Sequence, residues 1–199
     1  ILIACLTIYL SLYRKDIFGK TRSMAMLYAL IIIFTVISSL MVDHNVLHVY
    51  IIPFAMVPIF IRVFIDSRTA FMAHVTMVLM CACVLQHPLE FIAVETVAGI
   101  TAIFSLRELS SRSQLFWTAV WVTIAACLTN IAIDWIHNDK LLLTDYGEFN
   151  YLALNGLMLF CSYPLLYLIE KVFGFTSNIT LIELSDMNKE LLRQMSEVA

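Results

Sequence analysis

The sequence predicts an all-α integral membrane protein: a seven-helix bundle, N-terminus outside and C-terminus cytoplasmic, with a C-terminal amphipathic connector helix. Two observations carry the fold class. Of 199 residues, 61% are hydrophobic and 14% charged, where soluble domains run at about 45–50% and about 25%. The charges are also clumped, leaving uncharged stretches at 23–42, 69–89, 113–133 and 149–169, of 20, 21, 21 and 21 residues. About 20 apolar residues in a helix cross roughly 30 Å of hydrocarbon. A third observation sets the topology. When seven apolar segments alternate across a bilayer, all of the 12 Lys and Arg except Lys140 fall on one side. This composition excludes an ordinary soluble enzyme, a disordered chain, a disulfide scaffold and a nucleic-acid binder.

The seven segments are 1–13, 23–42, 48–65, 69–86, 88–106, 113–136 and 149–169. The first, Ile1 to Tyr13, is too short to span and lacks a basic leader. It reads as a transmembrane helix whose start is missing, not as a signal peptide. Arg14, Lys15, Lys20 and Arg22 follow it, and the second segment ends at Asp43. The third holds Pro53 and Pro58. Each proline removes a backbone donor, so both a packing kink and a broken-helix hinge stay open, with neighbouring helices able to satisfy the freed carbonyls. Arg62 and Arg68 come next, then the fourth segment, and Gln86-His87-Pro88-Leu89-Glu90 leads into the fifth. Arg107 and Arg112 separate the fifth from the sixth; Lys140 lies between the sixth and the seventh; Lys171, Lys189 and Arg193 come after the seventh. The positive-inside rule then sends the first helix in from outside and leaves the C-terminus in the cytoplasm. The five cysteines all sit in apolar runs and read as small buried hydrophobes.

The tail changes character. Leu184, Met187, Leu191, Met195 and Val198 recur at steps of 3, 4, 4 and 3, a helical seam. Thr180 and Glu183 have capping-box spacing. Asp186, Lys189, Glu190 and Arg193 face the other way, so this helix is too polar to span. The expected division is a membrane domain over 1–173 and a cytoplasmic linker helix over 174–199. The seam suits a homodimer, or packing on a downstream domain.

Intramembrane ionisable groups are costly, so each is a candidate site. Thr123, Asn130, Asp134 and His137 stand at 0, +7, +11 and +14 along the sixth segment, within about 60° of one another on a helix. The fifth segment offers Glu90 and, about 7.5 Å deeper, Glu95. The seventh offers Asn155, and the end of the second and the loop after it offer Asp43, His44 and His48. All belong to the outer half; His74, on the fourth segment, lies nearer the cytoplasmic half and stands apart. Three readings compete: hydrogen bonds between helices, an outward-open pocket for a ligand or an extracellular domain, and a metal or proton site using His44, His48, His87, Glu90, Asp134 and His137. No His-Glu-x-x-His pattern supports the last. A retinal protein needs a lysine within the last helix, and 149–169 has none; a rhomboid-like protease needs a glycine-framed serine, also absent. The third segment ends Ile61-Arg62-Val63, without the acidic-Arg-aromatic triplet of G-protein-coupled receptors.

Two stretches resemble a known bacterial family. One is Phe104-Ser105-Leu106-Arg107-Glu108-Leu109-Ser110-Ser111-Arg112-Ser113-Gln114-Leu115; the other is Phe173-Gly174-Phe175-Thr176-Ser177-Asn178-Ile179-Thr180-Leu181-Ile182-Glu183-Leu184-Ser185-Asp186-Met187-Asn188. Both are similar to the seven-transmembrane receptors with an intracellular HD hydrolase, the PgpH type. The resemblance implies an N-terminal anchor, an extracellular domain, seven spans, and a cytoplasmic phosphodiesterase that cleaves cyclic di-AMP with two divalent metals (Mn or Fe). The chain would then sit in the bacterial inner membrane and carry no catalytic residue of its own. The implied partners are the lipid bilayer, the protein's own extracellular and HD domains, and an unidentified extracellular ligand, but no nucleic acid. The candidate signal pocket is Asp43, His44, His48, Glu90, Glu95, Asn130, Asp134, His137 and Asn155. The candidate relay is Arg107, Glu108, Arg112, Leu184, Met187, Leu191 and Met195. The alternative is a transporter or a metal- or proton-handling protein built on the polar cluster.

Overall fold

The computed structural model describes residues 1–44, 48–106, 113–138 and 146–175, and every regular element among them is helical. The helices are α1 (Leu2–Tyr13), α2 (Lys15–Phe18), α3 (Thr21–His44), α4 (Met56–Phe64), α5 (Ser67–Ala82), α6 (Pro88–Ser105), α7 (Ser113–Asn138), α8 (Tyr146–Phe160) and α9 (Ser162–Phe173), with one 3-10 turn at Val49–Ile51. Three stretches are long and apolar enough to cross a membrane: Thr21–Asp43, Pro88–Ser105 and Gln114–Ile136. A fourth is Phe149–Phe160 with Ser162–Phe173, a pair bent by 46°.

The third predicted segment is not one helix. The chain makes the 3-10 turn at Val49–Ile51, leaves it in extended conformation at Ile52, and restarts as α4 at Met56. Pro53 accounts for the interruption. It has no N–H, and its ring drives the preceding residue out of the helical region. Pro58 causes no second break, because it stands in the first turn of α4, where backbone N–H groups lack intrahelical partners anyway. The break frees the carbonyls of Tyr50 and Ile52, and the Asn155 side-chain amide, reaching across from α8, donates to both, at 2.9 and 2.8 Å. Tyr50, Ile52 and Asn155 are all buried, and a buried carbonyl needs a donor from within the protein.

The bend in the last span has the same kind of cause. Pro164 lies four residues after Phe160, where its missing N–H ends α8. Cys161 closes the turn with a bond from its N–H to the Met158 carbonyl, at 3.0 Å, and α9 restarts at Ser162.

Packing centres on α4, buried on almost every side: Met56, Val57, Pro58, Ile59, Phe60, Ile61 and Val63 are all inside. Phe54, just before it, meets Phe91 of α6 edge-on, with ring centroids 5.1 Å apart. The Thr7 and Tyr28 hydroxyls bridge α1 to α3 at 2.6 Å. Trp117, Trp121 and Trp135 on α7 are exposed, as expected of a lipid-facing surface with aromatic residues near its two ends.

Asn155→Ala is expected to remove the donor from the Tyr50 carbonyl, while the Ile52 carbonyl keeps the Phe54 N–H at 2.9 Å, and to cost about 1–3 kcal/mol, read as a lowered melting temperature in detergent. An unchanged melt would mean that the break does not depend on Asn155.

Candidate functional site

The candidate residues are spread along the helix set. At one end lie the break, the start of α6 and the start of α8. His48, just before the 3-10 turn, is exposed, yet its ring stacks on Tyr151 of α8 at 4.7 Å and 3° and on Tyr50 at 5.3 Å. Tyr50 in turn touches Phe91. Asn155 is 8% exposed beneath this aromatic layer, on the two carbonyls of the break. His48, Tyr50, Tyr151 and Asn155 therefore form one contiguous unit. The sequence pattern named His48 and Asn155 but not the tyrosines between them. Glu90, in the first turn of α6, is half-buried with His87 at 3.9 Å, and Asp43 is exposed on the last turn of α3.

Glu95 lies elsewhere. It is 2% exposed, inside the α5–α6 contact. His74 of α5 approaches α6 at this level, and its Nε2–H donates to the Glu95 carbonyl at 2.8 Å. The two residues that the sequence pattern placed in opposite halves meet in one layer. Gly99 makes that possible: a Cβ there would stand 2.2 Å from the His74 ring. The α7 stripe faces inward at Asn130, 4% exposed, and Asp134 is half-buried. Thr123 of the same stripe meets Gly156 of α8, where a Cβ would stand 2.3 Å from its Oγ1. Small residues that let helices approach this closely are the usual device of membrane interfaces. The predicted pocket is thus divided: His48 and Asn155 meet at the break, Glu95 lies in the α5–α6 contact, and Asn130 and Asp134 share the α7 face that carries Thr123. Among the described residues no group of three His, Cys, Asp or Glu side chains is placed to hold a metal ion.

His44 and His137 stand on the ends of α3 and α7, with side chains outside the described residues. Arg107, Glu108, Arg112, Leu184, Met187, Leu191 and Met195 lie outside them altogether. The base of the 107–112 loop is visible, however. The Ser105 and Thr118 hydroxyls bond at 2.8 Å, and Gln114 Nε2 donates to the Ser105 carbonyl at 2.9 Å, tying α6 to α7.

Among the described residues, the opposite end gathers Arg14, Arg22 and Lys171. Arg14, after α1, reaches two carboxylates: Asp16, at 2.9 Å, and Asp66. Asp66 also caps α5, accepting from the Thr69 N–H at 2.7 Å. Arg14 thereby fastens the end of α1 to the start of α5. Its hydrogen bond to Asp16 raises the guanidinium above its ordinary pKa and holds the Asp16 carboxyl below its own. Sequence reading counted Arg14 as a topology marker; its pairing with a residue about 50 positions away has no local signature.

The exit toward the connector is also built here. α9 ends at Gly174, which takes a left-handed conformation with φ of 68°, as glycine does at helix C-termini. Phe175 then folds back. Its N–H bonds the Glu170 carbonyl at 3.1 Å, and its ring stacks on Phe64, the last residue of α4, at 5.4 Å. A Cβ on Gly174 would lie 3.1 Å from the Arg22 guanidinium, so the exit lies beside the start of α3.

Apolar helices of this length, three of them with one bent pair besides, mark a multi-pass membrane protein. Residues 1–177 match the family described as 7TM receptor with intracellular HD hydrolase, and the chain belongs to that family. No curated protein and no solved structure matches it. The match covers the receptor's membrane part, and the hydrolase named in the family's description is a partner domain to this segment.

Gly99→Ala is expected to force the His74 ring away and to cost about 1–3 kcal/mol. His74→Ala in the same chain should recover most of the loss; a double variant no better than Gly99→Ala alone would refute the close-approach account. The Asp16 carboxyl titrates low when folded, so its contribution is complete above its ordinary pKa and fades as pH falls through the depressed one. Asp16→Asn should remove that part of the acid-induced drop in melting temperature. Superimposable pH profiles would count against the pair.

Proposed function

We propose that this chain is the signal-transducing membrane module of a receptor-type cyclic di-AMP phosphodiesterase. It relays an extracellular signal to a cytoplasmic HD hydrolase domain and has no catalytic role itself. The observation that carries the reading is the family match over residues 1–177.

Seven spans, outside entry and cytoplasmic exit are part of the proposal. The contacts of Arg14 with Asp66, Phe64 with Phe175 and Arg22 with Gly174 support it. They gather at one end the connections after α1, before α3, after α4 and after α9, as alternating crossings require. The basic residues at that end support its assignment to the cytoplasm. On this reading α1, the broken segment 48–65 and α5 complete the seven with the three long spans and the bent pair.

The membrane is the bacterial inner membrane. The partners are the protein's own extracellular and HD domains, an extracellular ligand of unidentified chemistry and, through the 184–198 seam, a second copy of the chain. The two divalent metals, Mn or Fe, belong to the HD domain. The signal enters among the break, the His48 stack and the Glu95 and Asp134 layers. It leaves through the 107–112 loop and the exit at Gly174.

The test is cyclic di-AMP hydrolysis by the full-length receptor in lipid with Mn²⁺, wild type against Asp134→Asn and Glu95→Gln. A shift of severalfold in turnover or in its response to an external ligand, at unchanged expression and melting, is the expected result. Wild-type behaviour in both variants would make these residues packing alone. No hydrolysis by the wild type with any divalent metal would overturn the proposed activity.

A further inference from the structure

Two cavities lie along the same pair of helices, α3 and α9. The larger, about 680 Å³, is lined only by apolar side chains, among them Ile33, Ile37, Met56, Leu165 and Leu168. Ile51, Ile52 and Pro53 of the broken segment and Cys161 at the bend also line it. Both interruptions therefore open onto this groove, and the space exists because two helices depart from straight paths beside α3. On α3 its lining runs from Ala29 to Met41, about 18 Å of helix. The lining begins about 10 Å along α3 from Arg22 and runs to the far end of the helix, so a chain entering from the basic end would reach past the bilayer midplane.

The smaller cavity, about 330 Å³, adjoins it at the basic end, and Val172 and Phe173 line both. Its other walls are Thr21, Arg22, Ala25, Lys171 and Gly174. Two features give it a positive potential. Arg22 and Lys171 bring their charges from opposite sides. The N-terminus of the 24-residue α3 opens here with no acidic residue in its first turn, so the positive end of its dipole adds to the two charges. A basic pocket between transmembrane helices, at the membrane surface, is the setting in which anionic lipid head groups bind.

We propose that the α3–α9 groove is a binding site for one anionic phospholipid, with its acyl chain against Ile33, Ile37 and Leu168 and its phosphate between Arg22, Lys171 and the α3 N-terminus. Charge complementarity selects this occupant. A zwitterionic lipid fills the apolar part equally well but gains less at the mouth, and a soluble phosphate fills only the mouth. The lipid would sit against the left-handed Gly174 exit, touching the element from which the connector departs. The inference uses the membrane reading above but neither the hydrolase nor its substrate, so a failed hydrolysis assay leaves it standing.

The test is native mass spectrometry of the purified full-length receptor released from micelles doped with phosphatidylglycerol or phosphatidylcholine. Wild type should retain one phosphatidylglycerol under activation that strips phosphatidylcholine. Arg22→Gln with Lys171→Gln should lose about tenfold in that retention. Lys20→Gln, whose residue lines neither cavity, should keep it, and Ile33→Trp, which fills the groove, should lose both lipids. Equal retention of the two lipids, or a double variant that holds phosphatidylglycerol as well as wild type, overturns the proposal. So does an equal loss in Lys20→Gln, which would mark diffuse surface charge. A dimer that carries no lipid, with Ile33→Trp monomeric, would assign the groove to a second copy instead. If the double variant does not fold, Lys171→Gln and Ile33→Trp alone decide by the same criteria.

Discussion

A peptide group inside hydrocarbon must find its hydrogen-bond partner within the protein, and the fold is organised by how that obligation is met at two interruptions. Asn155 carries the heavier share. One side-chain amide satisfies two carbonyls of a segment more than 100 positions away, at Tyr50 and Ile52. Because it does, the chain can turn between Ile52 and Ala55 and deliver α4 into the middle of the bundle. The interior position of α4 fits a helix whose one charged residue is Arg62, in its last turn. At the second interruption, the Cys161 N–H turns back to the Met158 carbonyl and α9 restarts at Ser162. The first break thus carries hydrogen bonds from a distant side chain, and the second a turn within its own backbone.

The remaining polar groups follow a related economy. His74 donates to a carbonyl of α6, and Thr123 bonds back to Ala119 of its own helix. Each faces a glycine that leaves room for it, at Gly99 and at Gly156. Hydrogen bonds between membrane helices contribute only about 1–2 kcal/mol at most, so such contacts serve chiefly to set how closely helices approach. On the proposed function, the same layers are where a signal would act. A layer fixed by a few specific contacts has discrete alternatives, which a uniformly apolar interface lacks.

The legible part of the fold is the part that charge and hydropathy govern. The segments read at 23–42, 88–106 and 113–136 became Thr21–His44, Pro88–Ser105 and Ser113–Asn138. The segment at 48–65 became a turn, a break and a short helix, and 149–169 became two helices. Hydropathy registers the length of an uncharged run, and a run stays apolar whether or not its backbone is continuous. Pro53 signalled a missing donor but not which residue would answer it. Pro164 carried the same signal in the last segment, and its run of apolar neighbours hid it. Asn155 was legible as an intramembrane amide but not as the partner of the break. The tyrosines around His48 read as ordinary apolar content, and Gly99 acquires meaning only beside His74. Among the candidate residues, type was readable because ionisable and amide groups are rare at depth. Grouping was not, because it depends on helix rotation and on contacts far apart in sequence.

Two arms lead from the Asn155 layer to the exit of the last helix. One follows the broken segment through α4 to Phe64, whose ring stacks on Phe175. The other follows α8 through the bend at Cys161 and along α9 to Gly174. Both arms end on adjacent residues, and both line the apolar groove beside α3. A displacement at Asn155 that moved both arms together would carry the exit as a rigid unit. One that moved α8 against the broken segment would have to be absorbed at Cys161 or at the Phe64–Phe175 contact, and it would change the width of the groove between them. Packed helices pass between discrete arrangements instead of deforming continuously. A single left-handed glycine ends α9, so a small rotation of α9 would redirect the chain at Phe175. The two arms thus converge at Phe173-Gly174-Phe175, where the groove ends.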